Sequence, residues 1–182
     1  SDVWGASYVT NSTTTYTIIL NRALAWKVDA TTTGENLFGE SYTTTSLTTY
    51  EYNKVTWNEK TESWDIEIIN GKQYAGILVS AKTNSTTTGK DIWGAEYVTN
   101  SKTVYEFINN RAFAKEVTAT TTGTNLFGES YTTVSTTTYT NDHTLQTITA
   151  NGMTRQVYGK LTYAETNSTT TGKDIWGAEY VT

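Results

Sequence analysis

The chain has one histidine, His143, in the sequence TNDHTLQT beside a predicted turn. A serine hydrolase of the triad type would need this histidine as the base that activates its nucleophile. The sequence contains no Gly-x-Ser-x-Gly motif and no cysteine that could replace the serine. We therefore interpret His143 as an exposed loop residue.

Acidic residues recur at matched places and could in principle pair for glycoside hydrolysis. Glu40 and Glu129 share the sequence FGESY, and Glu96 and Glu179 share WGAEY. Because each acid is duplicated, such a pair would imply two active sites. Strand alternation also directs Glu96 outward. We predict that the protein is not an enzyme.

Calcium binding is the metal chemistry that the sequence favours most, because Ca²⁺ takes carboxylate and carbonyl oxygens from loops. Asp2, Asp91 and Asp174 each begin a Trp-Gly segment, and a loop precedes the last two. No Asp-x-Asp-x-Asp-Gly loop is present, and Lys90 and Lys173 adjoin two of the acids. We predict no cofactor, with structural calcium at these turns as the alternative.

Tryptophan could stack on sugar rings if it is exposed. Trp57 and Trp64 flank an insertion, and Trp26 has Lys115 as its repeat counterpart, which indicates a surface position. Trp26, Trp57 and Trp64 are the predicted glycan contacts. Three other tryptophans recur with a tyrosine four residues later, a spacing typical of a core: Trp4, Trp93 and Trp176.

Composition indicates an all-β protein without nucleic acid as a partner. Threonine is the commonest residue, and 13 Tyr and 6 Trp supply aromatic surface. Proline is absent, so the turns must depend on Gly and Asn. The net charge is −5 without a basic run, which disfavours nucleic acid. No apolar stretch reaches the roughly 20 residues of a membrane span.

An internal repeat organises the chain. Residues 2–45 align without a gap to 91–134, and residues 46–90 align more loosely to 135–173. A shorter phrase, Thr-Thr-Thr-Gly followed by an aromatic, a glycine and a tyrosine, recurs at Gly34, Gly89, Gly123 and Gly172. We predict one β repeat over 1–90, a second over 91–173, and an extra terminal strand over 174–182. One continuous β domain is the alternative.

Apolar and polar residues alternate along these segments with the period of a half-buried strand. Asn70-Gly71 and Asn151-Gly152 are type I′ hairpin signals, and residues 58–63 divide two further strands. The glycine after each aromatic indicates a bulge or a close backbone approach. The fold prediction is an antiparallel β-sandwich or barrel made of two repeats, each roughly 89 residues long, plus a surplus C-terminal strand.

The surplus strand suggests assembly. The Trp-Gly strand occurs three times, but the chain has only two repeat bodies. The last copy could close its own fold, complete a neighbour's sheet, or mark a segment of a longer array. The logic is similar to that of donor-strand filament subunits and tandem surface-adhesin domains. The predicted assembly residues are Asp174, Ile175, Trp176, Gly177, Tyr180 and Val181, with Val3, Trp4 and Tyr8 as their N-terminal equivalents.

The functional prediction is an extracellular or cell-surface structural protein whose partners are copies of itself, joined head to tail by strand donation. The alternative is a glycan-binding module of the lectin or adhesin type. Asn-Ser-Thr sequons permit N-glycosylation at three asparagines: Asn11, Asn84 and Asn167.

Overall fold

The computed structural model describes residues 6–36, 38–53, 56–65, 68–69, 72–73, 76–150 and 153–182. These residues form strands and turns without a helix, so the all-β prediction is confirmed. Nine strands form the main sheet: β1 (Ser7–Ile19), β2 (Arg22–Glu35), β3 (Ser41–Tyr52), β8 (Leu78–Lys90), β9 (Glu96–Ile108), β10 (Arg111–Thr124), β11 (Ser130–Asp142), β14 (Lys160–Lys173) and β15 (Glu179–Val181).

Six short strands form three separate hairpins: β4 (Thr56–Asn58) with β5 (Ser63–Asp65), β6 (Ile68–Ile69) with β7 (Lys72–Gln73), and β12 (Gln146–Ala150) with β13 (Met153–Val157). The β4–β5 hairpin confirms the one predicted around residues 58–63. The two Asn-Gly turns at 70–71 and 151–152 lie outside the described residues.

The main sheet is an antiparallel meander in the order β1-β2-β3-β8-β9-β10-β11-β14-β15. It crosses the boundary between the two sequence repeats without interruption, because β8 and β9 pair in the same manner as the other strands. The sheet does not close, since β1 and β15 lie at opposite edges. A barrel is therefore not formed. Among the described residues we also find no second large sheet that would complete a sandwich.

The sheet is a single layer and buries little surface. Ala81 and Ile108 are the buried hydrophobic residues of the described chain, and no large side chain is fully buried there. The accessible surface is 12735 Å², whereas a globular protein of this mass exposes about 8,800 Å². Both faces of the sheet are consequently available for contact.

Four turns of one design lie at the same end of the sheet, and they begin at Asn36, Asp91, Asn125 and Asp174. In each turn the side-chain oxygen of the first residue accepts two backbone N–H groups, as Asp91 does from Trp93 (2.8 Å) and Ala95 (2.9 Å). The glycine in each has a positive φ, +92° at Gly94. The prediction of a strand bulge at these glycines is therefore wrong, because they shape turns.

Candidate functional site

A row of alternating tyrosine and glycine crosses the whole sheet close to these turns. Each tyrosine lies opposite a glycine on every neighbouring strand of the sheet. In sheet order the row reads Tyr8, Gly34, Tyr42, Gly89, Tyr97, Gly123, Tyr131, Gly172 and Tyr180.

The tyrosine rings occupy the space above the glycines. A Cβ atom added to Gly89 would lie 2.2 Å from Cζ of Tyr97, and Gly34, Gly123 and Gly172 meet the tyrosine of their own hairpin in the same way. Covering a strand glycine with a cross-strand aromatic ring restores the packing that the glycine lacks. Only glycine leaves room for a ring here, so the pair is a unit of the repeat.

Tyr8 differs from the other tyrosines of the row. The glycine opposite it, Gly34, is already covered by Tyr42. Because β1 is an edge strand, the described residues provide no second glycine for the Tyr8 ring. Tyr8 is accordingly 72% exposed, against 38% for Tyr42.

The side chains that share a face with this row follow one pattern, which we call the uncharged face. On β1, β3, β9 and β11 the alternate residues read Tyr-Thr-Ser-Thr-Tyr without exception, as in Tyr97, Thr99, Ser101, Thr103 and Tyr105. On β2, β8, β10 and β14 they read Gly-Thr-(Ser/Ala)-(Thr/Val)-Ala from the turn inward. The sequence prediction missed this pattern, although the alternation is visible in each strand.

The opposite side of the sheet, the charged face, is irregular. The last Tyr or Ala of each pattern forms a second row, which we call the inner Tyr–Ala row. All the charged residues that pair across strands between the Tyr–Gly row and this inner row lie on the charged face: Lys27, Asp29, Lys82, Lys102, Glu116 and Glu165. Residues at one level differ between strands, as Thr13, Asp29, Leu47, Asn84 and Lys102 do. The strict repetition of the other face is therefore a property of that face and not of the sheet.

Hydroxyl pairs join the strands on the uncharged face. Oγ1 atoms lie within hydrogen-bond distance across strands in six Thr–Thr pairs, at 2.8–2.9 Å: Thr10–Thr32, Thr44–Thr87, Thr48–Thr83, Thr99–Thr121, Thr133–Thr170 and Thr137–Thr166. Each cross-strand pair of this kind contributes about 0.2–1 kcal/mol. These hydroxyls hydrogen-bond with one another, so few hydroxyl groups on this face are left without a hydrogen-bond partner.

A second surface lies at the turn end of the sheet, which we call the aromatic ridge. It consists of four exposed aromatic residues: Phe38 (74%), Trp93 (67%), Phe127 (77%) and Trp176 (86%). The prediction that Trp93 and Trp176 belong to a core is wrong, because both lie in turns that precede a strand and not in the strand itself. Successive turns are two strands apart, or about 9.6 Å.

The predicted glycan contacts do not gather at one place on the main sheet. Trp26 is the unpaired residue of a bulge in β2 and is exposed, and Lys115 is the bulged residue at the equivalent point of β10. This explains why the two positions exchange tryptophan for lysine. Trp57 and Trp64 are backbone partners in the register of the β4–β5 hairpin.

The predicted assembly strand is mostly a turn in this structure. Asp174 begins the last Asp-type turn, and only Glu179–Val181 is a strand, β15. β15 pairs with its own β14 at Thr171–Lys173, and Thr182 exchanges both backbone hydrogen bonds with Thr170 (2.8 and 2.9 Å). Val3 and Trp4 lie outside the described residues.

His143 belongs to a small polar cluster. Its Nε2 is 3.0 Å from Oε2 of Glu106, and the Asn141 amide donates to the same carboxylate (2.8 Å). Burial raises the pKa of Glu106, but hydrogen bonds from Asn141 and His143 outweigh it and hold the pKa below its ordinary value. The cluster ties β9 to the end of β11 and to the segment that follows it.

The duplicated acids are far apart. Glu40 and Glu129 each bond the asparagine that begins their own turn. The two turns are four strands apart, about 19 Å, whereas paired glycosidase carboxylates stand about 5–10 Å apart. Glu96 and Glu179 are also four strands apart and form ion pairs with Lys90 and Lys173, respectively.

The candidate calcium positions have other partners. The Asp91 and Asp174 carboxylates each accept two backbone N–H groups of their own turn, and Asp2 lies outside the described residues. No group of three acidic or histidine side chains suited to a metal ion occurs within the described ranges. The described chain likewise contains no helix that is long and apolar enough to span a membrane.

The three sequon asparagines lie in strands and not in loops. Asn11, Asn84 and Asn167 belong to β1, β8 and β14, respectively, and all three are exposed. Their register places them on the charged face. A glycan at any of them would leave the uncharged face accessible.

No protein-family model, curated protein or solved structure matches this chain.

Proposed function

We propose that this chain is a structural subunit, secreted or displayed at the cell surface, that joins copies of itself edge to edge in one continuous sheet. The observation that carries the proposal is Tyr8, whose ring is exposed and has no glycine of its own to cover among the described residues. A glycine strand added beside β1 would supply that glycine. The strand of this type closest to the other edge is β14, with Gly172.

The internal repeat defines the register of the junction. Residues 166–173 of β14 have the same sequence as residues 83–90 of β8, and β1 is the repeat counterpart of β9. β8 and β9 pair with Gly89 opposite Tyr97. By the same rule Gly172 of one copy lies opposite Tyr8 of the next.

In this structure β15 pairs with Thr171–Lys173 of β14, where the junction would begin. Its Tyr180 covers Gly172, and it pairs with only three residues of β14. Residues 160–169 of β14 lack a strand on that side among the described residues. An incoming β1 offers a longer pairing and the same tyrosine, so it can displace β15. The strand that crosses between copies is then β1, in place of the predicted strand at 174–182.

The two edges of the junction differ, so the contact is head to tail and does not close on itself. Such heterologous contacts produce filaments or extended sheets. A tyrosine edge meeting another tyrosine edge would place two rings in one row without a glycine. The Tyr–Gly alternation thus gives the assembly its direction.

Removing one outward N–H of β1 tests this junction. Thr182 exchanges backbone bonds with Thr170, and Thr10 would take its place in the register. The N–H groups of Thr10 and Ser12 then point away from β2, since bonding direction alternates along a strand. We expect Ser12→Pro to lower the assembled fraction at least ten-fold in sedimentation and negative-stain imaging, because proline has no N–H to donate.

Ser12→Ala is the matched control, since it keeps the N–H and should assemble like the unmodified chain. Circular dichroism of dispersed Ser12→Pro checks that the sheet still folds. A second arm needs no variant: a peptide of residues 7–15 should cap β14 and inhibit assembly, whereas a scrambled peptide should not. Equal assembly of all the variants together with an inactive peptide would refute the proposal.

The aromatic ridge favours a second candidate function, binding of a linear polysaccharide. Its four aromatic residues are exposed and belong to four turns that lie two strands apart along the sheet. Aromatic side chains combine a large apolar surface with rigidity and suit the flat faces of sugar rings. The ridge replaces the predicted set Trp26, Trp57 and Trp64 as the main site.

Co-sedimentation with insoluble cellulose and chitin tests this candidate. We expect Trp93→Ala together with Trp176→Ala to reduce the bound fraction at least ten-fold, because two of the four rings are lost. Trp26→Ala, outside the ridge, should bind normally. If neither polysaccharide retains the unmodified chain, or if Trp26→Ala is the damaging change, the ridge does not bind these glycans.

A further inference from the structure

We propose that the uncharged face packs against the same face of a second copy, so that two single-layer sheets form a sandwich between chains. This contact is separate from the edge junction, because it involves a face of the sheet and not an edge strand. It would also supply the second layer that a β-sandwich requires and that the described residues of one chain do not form.

The first argument is chemical. All the charged residues between the two tyrosine rows of the regular register lie on the opposite face. Charges are costly to bury without partners, and their absence is the main compositional feature of an interface centre. The hydroxyls of the uncharged face are largely paired with one another, so covering them leaves few donors unmet.

The second argument is shape. The tyrosine rings lie over glycines instead of standing above the sheet, which keeps the outer row low. The middle row is made only of small residues: Ser12, Ala30, Ser46, Ser85, Ser101, Ala119, Ser135 and Ser168. A sheet face without tall central side chains can approach another sheet closely along its full width.

The third argument is symmetry. On β1, β3, β9 and β11 the order Tyr-Thr-Ser-Thr-Tyr reads the same in both directions, and Ser or Ala holds the central position on all eight strands. A copy related by a two-fold axis therefore presents its Ser/Ala row to the Ser/Ala row of its partner, whichever way its strands run. A two-fold contact requires such self-complementarity.

The fourth argument is area. Eight strands spaced about 4.8 Å apart, over eight residue steps of about 3.4 Å, cover about 1,000 Å². A stable interface buries about 800 Å² on each partner. The uncharged face is large enough to hold two copies together without help from the loops.

Lysine in the middle row tests the proposal. The variant is Ser46→Lys with Ser135→Lys, and both serines are half-buried on the uncharged face. The control places the same charges one residue away on the charged face, as Leu47→Lys with Thr136→Lys, where β9 already carries Lys102. All chains are measured with the edge blocked by the 7–15 peptide, so that the edge junction does not contribute and Ser12 of the middle row stays unchanged.

Light scattering after size exclusion should give a dimer for the edge-blocked chain and for the control, and a monomer for the Ser46→Lys/Ser135→Lys variant. Circular dichroism must show the same β content for all three. Monomers throughout would overturn the face proposal and leave the edge junction standing. A dimer that only the control disrupts would also overturn it. The proposal would also be overturned if the chain is a monomer that binds cellulose and the middle-row lysines abolish this binding, since the uncharged face would then bind a glycan.

Fibre diffraction of the unblocked assembly gives an independent readout. Strand spacing produces a reflection near 4.8 Å, and stacked sheets add one near 10 Å. The proposal requires both reflections in the unmodified chain and loss of the 10 Å reflection in the middle-row lysine variant. A 4.8 Å reflection alone in the unmodified chain would mean edge assembly without face pairing.

Discussion

Gly89→Ala is expected to destabilise the protein by about 1–3 kcal/mol, the usual cost of overpacking. The direction is informative, because replacing a strand glycine by alanine normally stabilises a protein by about 0.5–1 kcal/mol. Here the new Cβ would lie 2.2–2.4 Å from ring atoms of Tyr97. The ring must leave the glycine, and its packing is lost.

The sign should reverse when the ring is absent. In a Tyr97→Ala background, Gly89→Ala meets no ring and should stabilise the chain by about 0.5–1 kcal/mol. Urea unfolding of the four proteins of this double-mutant cycle measures the coupling, which we expect to exceed 1 kcal/mol. The same effect in both backgrounds would show that the ring over the glycine contributes nothing.

Strand periodicity predicted much of this architecture. The Thr-Thr-Thr-Gly phrase recurs four times in the sequence, and each copy ends a strand before a turn such as the one at Asp91. Threonine and tyrosine at every second position suit a pleated surface, so the all-β prediction required no long-range information.

The position of the tryptophans was predicted wrongly for a physical reason. Trp93 is four residues before Tyr97, a spacing that places both on one face if the strand is unbroken. The Asp91 side chain instead folds residues 91–95 into a turn, so Trp93 leaves the sheet and becomes exposed. Aspartate and asparagine in such local turns compete with strand pairing.

The number of sheet layers could not be predicted from the alternation of residues along the strands. Alternation indicates that a strand has two unlike faces, but not whether a second sheet covers one of them. The expected sandwich assumed that each chain covers its own apolar face. The alternating residues of this face are Thr, Ser, Ala and Val between two rows that contain tyrosine. This composition does not by itself indicate whether a second layer covers the face.

The second prediction with a large effect concerns the register of the edge junction. Thr83 lies opposite Thr103 in the β8–β9 pair. Thr166 is the repeat counterpart of Thr83, and Thr14 is the counterpart of Thr103. The junction therefore places Thr166 of one copy opposite Thr14 of the next. Backbone-bonded antiparallel pairs have Cα atoms about 5.5 Å apart, within the range that a disulfide spans. The natural chain has no cysteine, so introduced cysteines are the only thiols present.

Disulfide cross-linking at this register tests the central claim of head-to-tail edge assembly most directly. A mixture of Thr14→Cys and Thr166→Cys chains, oxidised after assembly, should yield a covalent dimer on a non-reducing gel. Each variant alone reports any other pairing, and Thr83→Cys with Thr103→Cys in one chain is the intramolecular positive control. Thr13→Cys with Thr166→Cys is one residue out of register on the opposite face and should stay monomeric. Strong cross-linking of the Thr14 mixture with little from Thr13 is the result we predict. Equal or absent cross-linking in both mixtures would contradict it.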